Sequence, residues 1–144
     1  MAVVKAVCIS NNKGEKKINI NEGFFIKDHG LENDAHAGSK RQISLLAFES
    51  IKKMRKNLPD LGPGDFGENI TTQGIHLIGL EIGTKLKIGN IIVKITQIGK
   101  KCHDKCEIFK QVGTCVMPNE GVFADVLISG HVKTGDEILV VKDN

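Results

Sequence analysis

Short runs rich in Val, Ile and Phe, each stopped by glycine or another turn former, constrain this chain more than any other feature. Residues 2–10 and 18–27 have this character. So do 121–128 and 137–142, with Gly130 and Gly135-Asp136 as punctuation. The clearest case is a hairpin, 84–88 and 91–98 joined by Gly89-Asn90. Glycine in the first place of a two-residue connector supplies the positive φ that a type II′ turn demands. Sixteen glycines spread across short strands suit a closed or strongly bent sheet, whose corners need residues without a Cβ. The pattern predicts a mainly β fold, a closed or nearly closed β-barrel with one or two short helices. A single domain over residues 1–144 is expected, large enough to bury roughly two-thirds of its unfolded surface.

One segment has a helical period. Over 47–58, Phe48, Ile51, Met54 and Leu58 recur every three or four residues, opposite Glu49, Lys52, Lys53 and Lys56. Pro59 stops the helix, and the apolar stripe is read as a face packed on the core. A second short helix is expected over 105–111. No apolar run approaches the roughly 18 residues that span a bilayer. Met1-Ala2-Val3-Val4-Lys5 also lacks the order of a signal peptide. These features predict a cytoplasmic protein without a membrane partner, whose four cysteines serve as thiols, ligands or catalysts rather than disulfides. The net charge of +3 is mild, and six Phe without Trp or Tyr do not interleave with basic residues. Nucleic acid is therefore not an expected partner. A small anion needs only a local positive patch, which this composition allows.

Reactive side chains concentrate in Lys100-Lys101-Cys102-His103-Asp104-Lys105-Cys106. A thiolate is the nucleophile and the metal ligand, and neighbouring cations favour it. Two readings stand here: a low-pKa cysteine that carries sulfur or binds a soft metal, or two thiols among solvated lysines. Cys102-x3-Cys106, with Cys115 beyond, lacks the second short-spaced pair of a structural zinc site. Cys8 falls in an apolar strand pattern and is assigned to the core.

Asp34 and His36 lie two apart and would share a face of an extended segment. They can orient a ligand or move a proton. Alternatively Asp34 caps local backbone, and His36 sits in a loop that Gly38 ends. Arg41 can grip a phosphate through a bidentate guanidinium, or form a weak surface pair. Gly64-Asp65-Phe66-Gly67-Glu68-Asn69 reads as a tight turn able to cradle an anion, but no Gly-Lys-Ser/Thr follows as in a P-loop. Glu68 and Asn69 either meet a ligand or brace that turn, with Asn69 and Thr71 favoured as contacts.

Three stretches in order carry a family resemblance. The first is Gly30-Leu31-Glu32-Asn33-Asp34-Ala35-His36-Ala37-Gly38 with Arg41-Gln42-Ile43-Ser44-Leu45-Leu46. The second is Gly64-Asp65-Phe66-Gly67-Glu68-Asn69-Ile70-Thr71-Thr72. The third is Thr96-Gln97-Ile98-Gly99-Lys100, then the cysteine segment and Gly121-Val122-Phe123-Ala124-Asp125-Val126. Together they resemble the MOSC family, named for the C-terminal domain of molybdenum cofactor sulfurase, and most closely its small stand-alone bacterial versions.

The resemblance implies a MOSC-type β-barrel that binds the molybdenum cofactor (molybdopterin), whether or not the isolated protein retains it. It would act in cofactor handling or sulfur transfer through a reactive cysteine, beside a cofactor-biosynthesis or molybdoenzyme partner. The alternative is a molybdenum-dependent reductase of N-hydroxylated compounds, fed by an external electron donor. Cys102 matches the cysteine that carries sulfur or ligates molybdenum in relatives. This chain lacks the proline that many relatives place just before it, and it has Cys106 in addition. On this resemblance Cys102, Cys106, His36 and Asp34 are the catalytic candidates, with Cys102 the metal ligand. Arg41, Asn69, Thr71, Glu68 and Lys101 would hold the cofactor, Arg41 at its phosphate and Asn69 at the pterin edge. Arg41, Asn69 and Cys102 should then line one cleft.

Overall fold

A computed structural model of the chain describes residues 1–13, 15–56, 58–99 and 120–141. In chain order these form β1 (Val3–Ile9), β2 (Ile18–Asn19), β3 (Glu22–Ile26), β4 (Gly30–Leu31), β5 (Ile43–Ala47) and helix α1 (Phe48–Met54). There follow β6 (Ile70–Gln73), a 3-10 turn at Leu77–Gly79, β7 (Lys85–Ile88), β8 (Ile91–Ile98), β9 (Val122–Ile128), β10 (Gly130–Lys133) and β11 (Ile138–Val141). The fold is mainly β with one α-helix among the described residues.

Eight strands form one sheet in the order β11-β7-β8-β9-β5-β6-β1-β2, and β10-β3-β4 form a second. In the large sheet only β5 and β6 run parallel among neighbours. Parallel neighbours need a crossover, and α1 lies within it. The hairpin forms as expected, with Ile88 opposite Ile91 and Gly89 at φ 54°. Along β8, Ile91, Val93 and Ile95 are buried while Lys94 is exposed, the period of two that a strand with one core face requires.

β5 is apolar on both faces because it divides two cores. Ile43 and Leu45 join the large cluster with Val7, Ile70, Val93 and Val122. Leu46 joins Phe48, Ile51, Leu61, Phe66 and Phe123 beneath α1. Burying each such side chain is worth about 1.5–3 kcal/mol.

Several expectations need correction. The run over 18–27 is broken into β2 and β3 at Asn21, whose φ is 67°. The regular helix ends at Met54, although a Leu58 N–H to Met54 carbonyl bond of 3.2 Å extends the turn. Leu58 is consequently exposed and does not complete the buried stripe. Gly130 opens a strand rather than separating two. The helix expected over 105–111 lies outside the described residues.

The sheet is not closed into a barrel, because the free edge of β1 is divided. β2 takes its far end through Cys8↔Asn19 and Ile9↔Ile18. Near its start only an isolated bridge, Val3↔Glu137, and bonds such as Val4 N–H to Asp136 O (2.8 Å) reach the turn before β11. With β1 so occupied, no continuous ladder joins β1 to β11.

Candidate functional site

Ser10 follows the end of β1, and the loop after β4 comes to lie against it, Ala35 N–H donating to the Ser10 carbonyl at 2.9 Å. This places Asp34 in the interior. Its Oδ1 accepts from Ser10 N (3.1 Å) and from Lys17 Nζ (2.7 Å), and its Oδ2 from His36 N (3.1 Å). Both the Asp34 and the Lys17 side chains are wholly buried, at 0% exposure. Lys17 Nζ also donates to Ser10 Oγ at 3.0 Å and meets His36 Nδ1 at 3.3 Å. Burial alone would push the Asp34 carboxyl up, but His36 and Lys17 hold it well below the usual carboxylate range. Asp34 caps the backbone of its own loop, as one of its two readings expected, and in addition anchors a buried cation.

His36 is the exposed end of this cluster, with 29% of its side chain open. It lines an open cleft of about 660 Å³ together with Lys13, Ser39, Lys40, Arg41 and Gln97. Arg41 is held in place there. Its guanidinium lies 5.3 Å from the centre of the Phe123 ring, and its Nε donates to Gln97 Oε1 at 3.3 Å. Gln97 is fixed in turn by its Nε2 bond to the Gly99 carbonyl, 2.8 Å. The lining among described residues carries three permanent cations and no carboxylate, so an anion is the ligand it suits.

The second motif has a different task. Asn69 is fully buried: Oδ1 accepts from Ser44 N (3.0 Å) and Nδ2 donates to the Cys8 carbonyl (3.2 Å). It staples β1 to β5 across the top of β6. Thr71 is also buried, donating to Glu68 Oε2 at 2.6 Å, and Gly64 N–H donates to the same oxygen at 3.0 Å. Burial pushes the fully enclosed Glu68 carboxyl up. Cys8, buried in β1, has its thiol pushed far above the usual range, first by burial and then by Glu68. It is packed in the core as its strand pattern indicated.

Of the proposed site residues, Arg41, His36 and Asp34 therefore gather at or behind one cleft. Glu68, Asn69 and Thr71 are bonded to protein groups and are not among its lining residues. Among the described residues, Asn69 therefore does not join Arg41 in the lining of this cleft. Cys102, Cys106 and Lys101 lie outside the described residues. Sequence reasoning missed Lys17, Lys13, Lys40 and Gln97. Lys17 carries no mark that separates it from Lys13 and Lys16 nearby, whereas Gln97 stands in the third motif and three residues before the cysteine segment begins at Lys100.

The family model described as MOSC domain matches residues 32–139. The crystal structure of YuaD from Bacillus subtilis is similar with a TM-score of 0.79 and 18% identity, over 96% of this chain and 94% of that one. YiiM from Geobacillus stearothermophilus follows with 0.77 and 16%, over 99% and 76%. YiiM from Escherichia coli gives 0.66 and 18%, over 100% and 71%. No curated protein matches the sequence. The structural likenesses, at such low identity, show a shared fold, and the family match spans three motif regions that the fold brings into one sheet system. This chain belongs to the MOSC domain family.

Proposed function

We propose that the chain binds the molybdenum cofactor at the basic cleft and acts in handling the cofactor or its sulfur through Cys102. The observation that carries this reading is the cleft of Lys13, His36, Lys40 and Arg41, with no carboxylate among its described lining residues. A terminal phosphate fits that donor set. Phe123 and Gln97 hold Arg41 without using its two terminal nitrogens, which leaves the fork for a bidentate grip. When bound, the cofactor supplies a soft metal–dithiolene centre, for which thiolate sulfur is a natural ligand.

Chain connectivity supports Cys102 as the thiol. β8 and β9 are joined at Gly99 N–H to Gly121 O, 2.7 Å, and the cysteine segment departs from Gly99 beside Gln97. Cys102 is three residues beyond, a span of at most about 11 Å. A cytoplasmic setting, in which thiols stay reduced, suits the same chemistry. Among the described residues no helix is long and apolar enough to cross a membrane.

The test is expression of the chain in a cofactor-producing host, followed by molybdenum analysis and pterin fluorescence of the purified protein. Pterin and molybdenum should copurify, and Arg41→Ala should weaken retention by about tenfold or more, the scale of a lost charge-assisted contact. Absence of both under cofactor-replete expression would count against cofactor binding. Residue-by-residue alkylation should label Cys102 fastest; faster labelling of Cys106 would move the thiol role there.

A further inference from the structure

Resting on that reading of the cleft, we propose that the buried Lys17–Asp34 pair is a positioning device for His36. It fixes the neutral imidazole as the Nε2–H tautomer, so that the cleft offers hydrogen-bond donors and selects a fully ionised phosphate monoester.

The argument starts from donor capacity. A lysine ammonium has three N–H donors and no acceptor. Lys17 Nζ spends one on Asp34 Oδ1 at 2.7 Å, one on Ser10 Oγ at 3.0 Å, and the third points to His36 Nδ1 at 3.3 Å. Nδ1 must therefore be the acceptor, and a neutral ring then carries its proton on Nε2. Asp34 Oδ2 competes for Nδ1 only from 3.8 Å, beyond hydrogen-bond length, and is already engaged by His36 N at 3.1 Å. The ion pair is wholly enclosed, so neither partner can swing into water without opening the interior. Nε2 has no hydrogen-bond partner among the described residues, and the half-buried ring lines the cleft.

The other lining groups agree in polarity. Ser39 Oγ accepts from Arg41 N (3.2 Å) and donates to Arg41 O (3.1 Å), so its donor and one of its two lone pairs are tied to the local backbone. Gln97 Oε1 accepts from Arg41 Nε. Among the described residues, the charged groups left for a ligand are the ammonium groups of Lys13 and Lys40 and the terminal nitrogens of Arg41, with His36 Nε2–H beside them. Such a set favours an acceptor-only dianion over any ligand that must itself donate.

Long-range proton–nitrogen NMR on the full chain, labelled at histidine ring nitrogens, reads the tautomer directly. His36 should show an unprotonated, acceptor-type Nδ1 and a protonated Nε2 at neutral pH, and Lys17→Met should mix the two tautomers. Because Lys17→Met can unfold the chain, a second pair of variants carries the test independently. Glutamine places an N–H where Nε2 stood, whereas asparagine reaches only the Nδ1 position. In titrations with inorganic phosphate, His36→Gln should stay within about twofold of the unaltered chain, and His36→Asn should bind about tenfold more weakly. A ring protonated on Nδ1, or equal weakening by glutamine and asparagine, overturns the inference while cofactor retention stands. Loss of molybdenum and pterin with the tautomer intact overturns the cofactor reading alone.

Discussion

Asp34 and Glu68 are both carboxylates removed from water, and the fold treats them in opposite ways. Asp34 receives a buried ammonium and two backbone N–H groups, and it is held ionised. Glu68 receives a backbone N–H and a hydroxyl on Oε2 alone, while Oε1 has no partner among the described residues. Nothing cationic balances it directly, so burial favours its protonated form. The two networks touch: Lys17 N–H donates to the Gly64 carbonyl at 2.7 Å, and Gly64 N–H donates to Glu68. The difference teaches which carboxylate serves the cleft. The ionised one anchors the cation that faces His36, and the one whose charge burial disfavours locks the turn behind it.

The largest break in this comparison is Asp34→Ala. It leaves Lys17 enclosed without its counter-charge, and removing one partner of a buried pair costs about 3–5 kcal/mol. Denaturant unfolding should show a loss of that order, and the double variant Lys17→Met/Asp34→Leu should recover much of it. A loss below about 1 kcal/mol for Asp34→Ala would mean that the pair is hydrated and the cluster is not an interior device.

Gly64→Ala tests the joint between the two networks. Gly64 sits at φ 90°, and an added Cβ would run into the Lys17 carbonyl and meet Cys8 Sγ. Left-handed strain and the collision together predict a loss of about 2–3 kcal/mol. Because Lys17's backbone is docked on this glycine, the variant should also disturb the His36 ring signals, although residue 64 is not among the cleft's lining residues. Unchanged His36 signals beside a lowered stability would separate the networks.

How far the sequence reveals this arrangement depends on which forces set each part. The Gly89-Asn90 hairpin and the Val122–Ile128 strand are legible because local turn chemistry and alternation decide them. β5 and β6 were not separated as strands: both are buried on two faces, so they lack alternation. Closure of the sheet was overestimated because β2 and the turn before β11 share one edge of β1, a matter of tertiary competition. At the site, Asp34, His36 and Arg41 stood in a recognisable motif. Lys17 did not, because its burial depends on a loop 17 residues further along, which supplies its carboxylate. The bracing role of Asn69 was hard to read for the mirror reason: its partners Cys8 and Ser44 offer only backbone atoms and a hydroxyl, which no side-chain pattern betrays.

The smallest expected effect is also the sharpest test of the contrast. Glu68→Gln keeps an acceptor for Gly64 N–H and Thr71 Oγ and replaces a carboxyl that the fold prefers neutral, so stability at pH 7 should change by less than about 1 kcal/mol. The pH dependence carries the sign. Glu68 has its folded pKa raised, so the stability linked to it is full below about pH 4.5 and falls as pH rises. Asp34 has its folded pKa lowered, so its contribution is full above about pH 4 and falls as the solution is acidified. Denaturant titrations from pH 3 to 8 should therefore show Glu68→Gln flattening the neutral-side decline and leaving the acid-side loss in place. If Glu68→Gln instead loses more than about 2 kcal/mol at pH 7, the buried glutamate is ionised. The two carboxylates would then be alike, and a cation facing Glu68 would have to be found.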